Sequence, residues 1–269
     1  MNRKVFFVLA VTVAVACSRN AVTGRSQLKL LSDSEVQTMA ASEYKQFLTS
    51  NKVVSTAGSK DAEMVRRVGN RLTAAITSYY TAQGKANVLD GYQWEYNLVD
   101  SKEVNAWCMP GGKIVVYTGL LPITQNEAAL AVVMGHEITH ALAQHGNERM
   151  SMGLVQQLGG VALSVAMANK PAETQSMFMN AYGVGSQVGV MLPFSRKDEY
   201  EADKFGLNFA AMAGYNPQEA IALWERMEKA AAGNKPPEFM STHPSEGNRI
   251  VRLKEQMPEA LSFYKPMAR

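Results

Sequence analysis

Two histidines and a glutamate stand together in an otherwise apolar run, VVMGHEITHALAQHG, residues 132–146. On an α-helix, residues four apart share a face about 6 Å apart along the axis. His136 and His140 can therefore grip one zinc ion through imidazole nitrogens at about 2.0 Å. Glu137 follows the first ligand and flanks the ion without being a ligand. Its carboxylate can reach a water held on the metal, which is what metal-assisted hydrolysis requires: a lowered water pKa with a base beside it. Three polar groups in an Ala/Val/Met helix are costly to bury without a partner such as a metal.

Two histidines do not complete a tetrahedral site. A longer motif with glycine and histidine at fixed downstream steps is excluded, because Ala143 and Gly146 occupy those positions. His145 lies about 140° round a continuous helix from His140, so it is expected to point elsewhere, as a C-terminal histidine beside Gly146. A better third ligand lies in FSRKDEYEADKFG. Glu199 and Asp203 are four apart and share a face, whereas Glu201 is turned about 200° from Glu199. If Glu199 binds zinc, Asp203 can accept an N–H from a liganding histidine and fix its orientation.

The elements that position these groups are legible in outline. Ser32 or Asp33 caps a helix through about Leu48, and a second runs from Lys60 to Tyr80 with Val65, Val68, Leu72 and Ile76 on one face. YQWEYNLVDS (92–101) alternates like a half-buried strand, and NAWCMPGGKIVVYTGLL (105–121) reads as strand, turn, strand. The GGK there lacks the upstream glycine and the following Ser or Thr of a phosphate loop. Thr124 and Glu127 have capping-box spacing, which starts the motif helix. Residues 150–192 predict two closely packed helices, with their methionines as adaptable core filler. Helices follow at Asp198–Ala213 and Gln218–Ala231, and STHPSEGNRI (241–250) is a loop entering a last helix. The expected class is α+β, mainly helical, with a small β-sheet beside the motif helix.

The chain has 269 residues, with 46% hydrophobic and 19% charged content, the composition of an ordinary globular protein. Its net charge of +3 includes Arg3 and Lys4; without them 25 basic residues face 24 acidic ones, or +1. That balance gives no electrostatic case for nucleic acid. MNRK followed by VFFVLAVTVAVA (5–16) reads as a signal, since spanning a bilayer as a helix takes about 20 apolar residues. It ends at Cys17, and the pattern resembles a bacterial lipoprotein signal in which that cysteine is lipidated. The expected organisation is a signal over 1–16, a tether over 17–32 and one domain over 33–269. Cys108 is then alone, a small buried hydrophobe with no intrachain disulfide.

The segments HEITH, PFSRKDEYEAD and THPSEGNR, in this order, resemble the zinc metallopeptidases of the HtpX and CAAX-prenyl-protease family, the minigluzincins, in particular their bacterial periplasmic lipoprotein members. The resemblance covers roughly residues 20–256. It implies a zincin-like domain in which His136, His140 and Glu199 bind one zinc and Glu137 is the catalytic base. It implies that Asp203 supports a ligand, that His243 in a His-Pro loop lies near the metal, and that Arg249 anchors that loop. His243 would either stabilise the oxyanion or occupy the fourth zinc position and hold the enzyme latent. The strand around KIVVYTG would form an edge for an extended peptide. The expected function is an endopeptidase of the cell envelope acting on unfolded or misassembled polypeptides. It would be lipid-anchored at the periplasmic side of the outer membrane, or else soluble in the periplasm or secreted, and could work with outer-membrane assembly partners. The rival expectations are a non-catalytic zinc-stabilised lipoprotein acting as a chaperone or assembly factor, and a metal-dependent amidase acting on cell-wall peptides.

Overall fold

The computed structural model describes residues 17–158, 181, 195–232, 237–244 and 247–266. The signal segment 1–16 and the second helix expected within 150–192 lie outside the described residues. A hairpin comes first, β1 (Cys17–Arg19) antiparallel to β2 (Ser26–Leu28). Helix α1 (Asp33–Ser50) is capped by Ser32 in a capping box with Glu35, and α2 (Lys60–Ala82) by Ser59. Strands β3 (Glu95–Val99), β4 (Ala106–Met109) and β5 (Lys113–Tyr117) follow, then a single turn α3 (Leu121–Thr124). The motif helix α4 is Glu127–Leu142, and α5 is His145–Leu158. The chain continues through α6 (Arg196–Met212), α7 (Glu219–Ala231), α8 (Glu238–Thr242) and α9 (Arg249–Phe263).

The sheet has the order β3-β5-β4, with β3 parallel and β4 antiparallel to β5. Alternate residues face opposite sides. Leu98, Ala106, Cys108, Ile114 and Val116 join the core formed by α2, α4 and α6. Val99, Trp107, Met109, Val115 and Tyr117 pack on Val36, Ala40, Tyr44 and Phe47 of α1. Burial on both faces explains why β4 and β5 read as continuous apolar runs. Because β3 pairs with the far side of β5, KIVVYTG is the central strand and not an edge. The sheet edge beside the motif helix belongs to β4.

Helix α4 is buried on every side from Ala129 to Leu142, which only a core helix tolerates. Its N-cap is Asn126, whose side chain accepts the Ala129 N–H at 2.9 Å. Thr124 belongs instead to the preceding turn, so the expected Thr124–Glu127 capping box does not form.

Helices α4 and α6 cross at Gly135 and Gly206. A Cβ on Gly206 would stand 2.6 Å from the His136 nitrogen and 2.8 Å from the Gly135 carbonyl carbon, both backbone atoms. The two glycines thus let one backbone rest on the other, which brings the His-Glu-x-x-His face against Glu199 and Asp203. Gly206→Ala is expected to lower stability by about 1–3 kcal/mol, the usual cost of overpacking against an unyielding neighbour. Chemical denaturation of the metal-free protein measures it, and an unchanged midpoint would contradict this account of the crossing.

The expected tether over 17–32 is a packed part of the body. Asn20 Nδ2 donates to Leu142 O at 3.3 Å and Gln27 Nε2 to Ala143 O at 2.8 Å, satisfying carbonyls at the end of α4. Asn147 Nδ2 donates to Leu31 O, and the Leu30 N–H to Ser151 Oγ. Polar side chains that find buried partners fix this segment, although its composition is that of a linker.

Candidate metal centre

His136 and His140 lie one turn apart on α4, and Glu199 stands opposite them on the first turn of α6. Ser195 caps α6 and pairs with Asp198 in a capping box, which sets where that first turn begins. His243 closes α8, and its ring stacks on Phe239 with centroids 4.5 Å apart. All four are buried.

The donor atoms of four residues converge. His136 Nε2 is 3.1 Å from His140 Nε2 and 3.2 Å from His243 Nδ1. Glu199 Oε2 lies 3.4 Å from His136 Nε2, and Glu199 Oε1 lies 3.4 Å from His140 Nε2 and 2.9 Å from His243 Nδ1. Zinc bonds of about 2.0–2.1 Å in a tetrahedron place neighbouring ligand atoms about 3.3–3.4 Å apart. The observed separations, 2.9–3.4 Å, are close to that edge length. Several lone-pair atoms crowded this closely in a dry pocket call for a cation among them. The residues present therefore fit a divalent metal.

Glu137 points beside this cluster. Its Oε1 is buried and accepts no hydrogen bond, with His243 Nε2 standing 3.4 Å away. Burial raises its pKa, partly offset by the charges of His243 and His136. Burial works against Glu199 as well, but His243, His136 and His140 outweigh it and hold its carboxyl well below the ordinary range. Burial opposes charge on His136 too, yet hydrogen bonds to Asp203 and Glu199 lift it to about 9. His140, desolvated and beside two other histidines, is pushed well below its ordinary value.

Asp203 occupies the place expected from its spacing. Its Oδ1 is 3.0 Å from His136 Nδ1, and Arg249 grips the carboxylate with two bonds of 2.6 and 2.7 Å. Arg249 also reaches Glu199 Oε2 at 3.2 Å and the His243 carbonyl at 3.4 Å, and its guanidinium lies 3.5 Å over the Trp224 ring. Trp224 and Phe239 complete an aromatic wall that the spacing of polar residues could not reveal.

His145 is the correction. It points toward His140, with Nδ1 to Nδ1 at 3.0 Å, and is fully buried. The expectation assumed one continuous helix. Gln144 adopts a left-handed φ of 58°, which ends α4 and starts α5 at His145. Glu201, turned from the centre as expected, binds His145 Nε2 at 2.9 Å. Arg25 was not anticipated at all; it bonds Glu201, Glu148 and Asp198 from the loop between β1 and β2.

The sequence matches the model of peptidase family M48 over residues 59–257, a span that holds every one of these groups except Arg25. The chain belongs to peptidase family M48. Among relatives, it is 37% identical over 186 residues to the mitochondrial metalloendopeptidase OMA1 of Arabidopsis thaliana, covering 68% of this chain and 36% of that protein. It is 32% identical over 249 residues to the human mitochondrial metalloendopeptidase OMA1, covering 90% of this chain and 46% of that one. The beta-barrel assembly-enhancing protease of Escherichia coli K12 is 29% identical over 168 residues, 59% of this chain and 33% of its own. The chain therefore spans less than half the length of these curated relatives. The resemblance read from the sequence holds at the level of an M48 metallopeptidase. The relatives named here are of the OMA1 and assembly-enhancing kinds, so they do not narrow it to the HtpX and CAAX-prenyl-protease group.

Proposed function

We propose that this M48 chain is a zinc-dependent endopeptidase that cleaves unfolded or misassembled polypeptides in a bacterial cell envelope. One observation carries the reading: the donors of His136, His140, Glu199 and His243 converge beside a buried carboxylate oxygen of Glu137 that accepts no hydrogen bond among the described residues. A closed structural site has no use for that oxygen, which counts against a purely zinc-stabilised scaffold. A zinc ion held by His136, His140 and Glu199 would supply a Lewis acid for the scissile carbonyl and acidify a water. Glu137 takes the proton of the attacking water and returns it to the leaving nitrogen. Asp203 and Arg249 hold the His136 ring in the tautomer that keeps Nε2 free to ligate.

His243 Nδ1 lies 3.2 Å from His136 Nε2 and 2.9 Å from Glu199 Oε1, the spacing of neighbouring ligand atoms on one metal, which favours the latent role over oxyanion stabilisation. The ring then has to leave that corner before a substrate is turned over. The edge of β4 suits an extended peptide. Tyr117 N–H donates to Asn105 O, so the alternation of an antiparallel pair turns the backbone groups of Ala106 and Cys108 away from β5, with the Ala106 N–H already donated to Asn105 Oδ1 at 2.9 Å. No strand pairs with that edge among the described residues. Main-chain bonds along such an edge select by shape and not by sequence, as a quality-control protease requires.

The envelope location, with lipid at Cys17 and the outer membrane as its site, rests on the N-terminal sequence and on the likeness to a beta-barrel assembly-enhancing protease. No helix among the described residues is long and apolar enough to cross a membrane.

Metal analysis of the purified chain, with turnover of denatured casein before and after chelation, tests the reading. About one zinc per chain is expected, consistent with a single set of ligands. Activity should vanish on chelation and return with zinc. Chelator-resistant cleavage, or cleavage of peptidoglycan fragments in place of casein, would overturn it.

A further inference from the structure

The two candidate zinc-binding histidines on α4 are each backed by a carboxylate and an arginine, by different routes. Behind His136 the route is direct: Asp203, then Arg249. Behind His140 it runs through another ring: His140 Nδ1 to His145 Nδ1 at 3.0 Å, His145 Nε2 to Glu201 Oε2 at 2.9 Å, and Glu201 Oε1 to Arg25 Nε at 2.8 Å. We infer that Arg25, on the N-terminal hairpin, is a positioning residue for the metal ligand His140, acting through Glu201 and His145.

Proton placement allows only one arrangement of this chain once a metal takes His140 Nε2. The other nitrogen, Nδ1, then carries the hydrogen and donates it. His145 Nδ1 must accept, so His145 carries its own hydrogen on Nε2 and donates to Glu201. Glu201 accepts from His145 and from Arg25 together. The relay is therefore fixed in direction from the metal outward, and the acid at its far end strengthens the donor character required of His140.

Arg25 is the cation that makes this affordable. Glu148, Asp198 and Glu201 surround it at 2.7–2.9 Å, with 11% of its side chain exposed. Asp198 and Glu201 with His145 have the spacing of a second metal site, but the guanidinium already bonds both of those carboxylates. Without it, three carboxylates would face one another across a half-buried space. Glu201 would have reason to turn to solvent, and His145 would be released. The hairpin is held in turn by Asn20 and Gln27, which bond the carbonyls of Leu142 and Ala143 at the end of α4, two and three residues beyond His140. The segment next to the expected lipid attachment point is thus part of the scaffold of the metal centre.

This inference rests on the zinc reading above, and its test separates the two. Zinc-loaded full-length protein is mixed with excess chelator, and the rate of zinc loss is followed well below the unfolding temperature. Glu201→Gln and Arg25→Gln are expected to release zinc about 10–100-fold faster, the usual cost of removing a group that orients a ligand. Arg25→Lys, which keeps the charge without the fork, is expected to fall between them and the wild type. Arg19→Ala, which removes only a hairpin bond to Gly24 O, should leave the rate unchanged. Nitrogen-15 NMR of the zinc-loaded wild type, which requires no variant to fold, should show His145 protonated on Nε2 and bare on Nδ1. Zinc loss within twofold of wild type in both glutamine variants, or the opposite tautomer at His145, would overturn the relay while leaving the zinc site standing. A wild type that takes up no zinc would overturn both.

Discussion

Glu137→Gln is expected to fold, to bind metal as the wild type does, and to lose about 10²–10⁴ of its turnover of an unfolded polypeptide, the span that general acid–base catalysis contributes. Beyond a 3.4 Å approach to His243 Nε2, the carboxylate takes no part in holding the site together. Its Oε1 accepts no hydrogen bond, and it is not among the four residues whose donors converge. An amide fills the same volume but cannot take a proton from water. The stability sign is also fixed. Burial raises the Glu137 pKa, so ionising it at neutral pH costs the fold free energy, and a neutral amide removes that cost. The metal-free variant should therefore unfold at or above the wild-type midpoint. Casein turnover at equal zinc content is the measurement. Wild-type turnover in the variant would sink the hydrolase assignment; parallel loss of zinc would mean that Glu137 is a ligand and not a base.

Much of this centre was legible in the sequence because its spacings are helical. His136 and His140, and then Glu199 and Asp203, declare their shared faces at a separation of four, and each pair sits on one unbroken helix. The rule failed at His145, where a single left-handed residue, Gln144, ends one helix and starts the next. Glutamine is not a residue that announces a positive φ, so the break left no local mark. Strand order failed differently. The hairpin β4-β5 was plain from its turn, but nothing in YQWEYNLVDS says which side of the hairpin β3 joins. That choice moved the edge from KIVVYTG to AWCM. Arg25 was illegible for a third reason. Its three carboxylates lie 123, 173 and 176 residues away, and a linker-like composition hides a segment fixed by bonds of that range.

Arg249→Ala is expected to cost the metal-free protein about 3–5 kcal/mol, the range found when one partner of a buried ion pair is removed. Arg249 is 4% exposed and is the arginine that Asp203 and Glu199 share. Removing it leaves the Asp203 carboxylate with only His136 among the described residues and takes from Glu199 its contact at 3.2 Å. It also opens a void against the Trp224 ring, on which the guanidinium rests at 3.5 Å. Arg249→Lys should recover part of the loss, because a point charge can neutralise Asp203 but cannot make its two parallel bonds or lie flat on the indole. Metal should narrow the gap, since a divalent cation beside Glu199 replaces the positive charge that the variant lacks, while Asp203 stays unrelieved. Denaturant unfolding of wild type and both variants, with and without zinc, yields all of these differences. A loss below about 1 kcal/mol in the metal-free alanine variant, the value of an exposed pair, would show that the arginine does not support the buried carboxylates. The candidate zinc ligands would then owe their alignment to the packing of α4 against α6 alone.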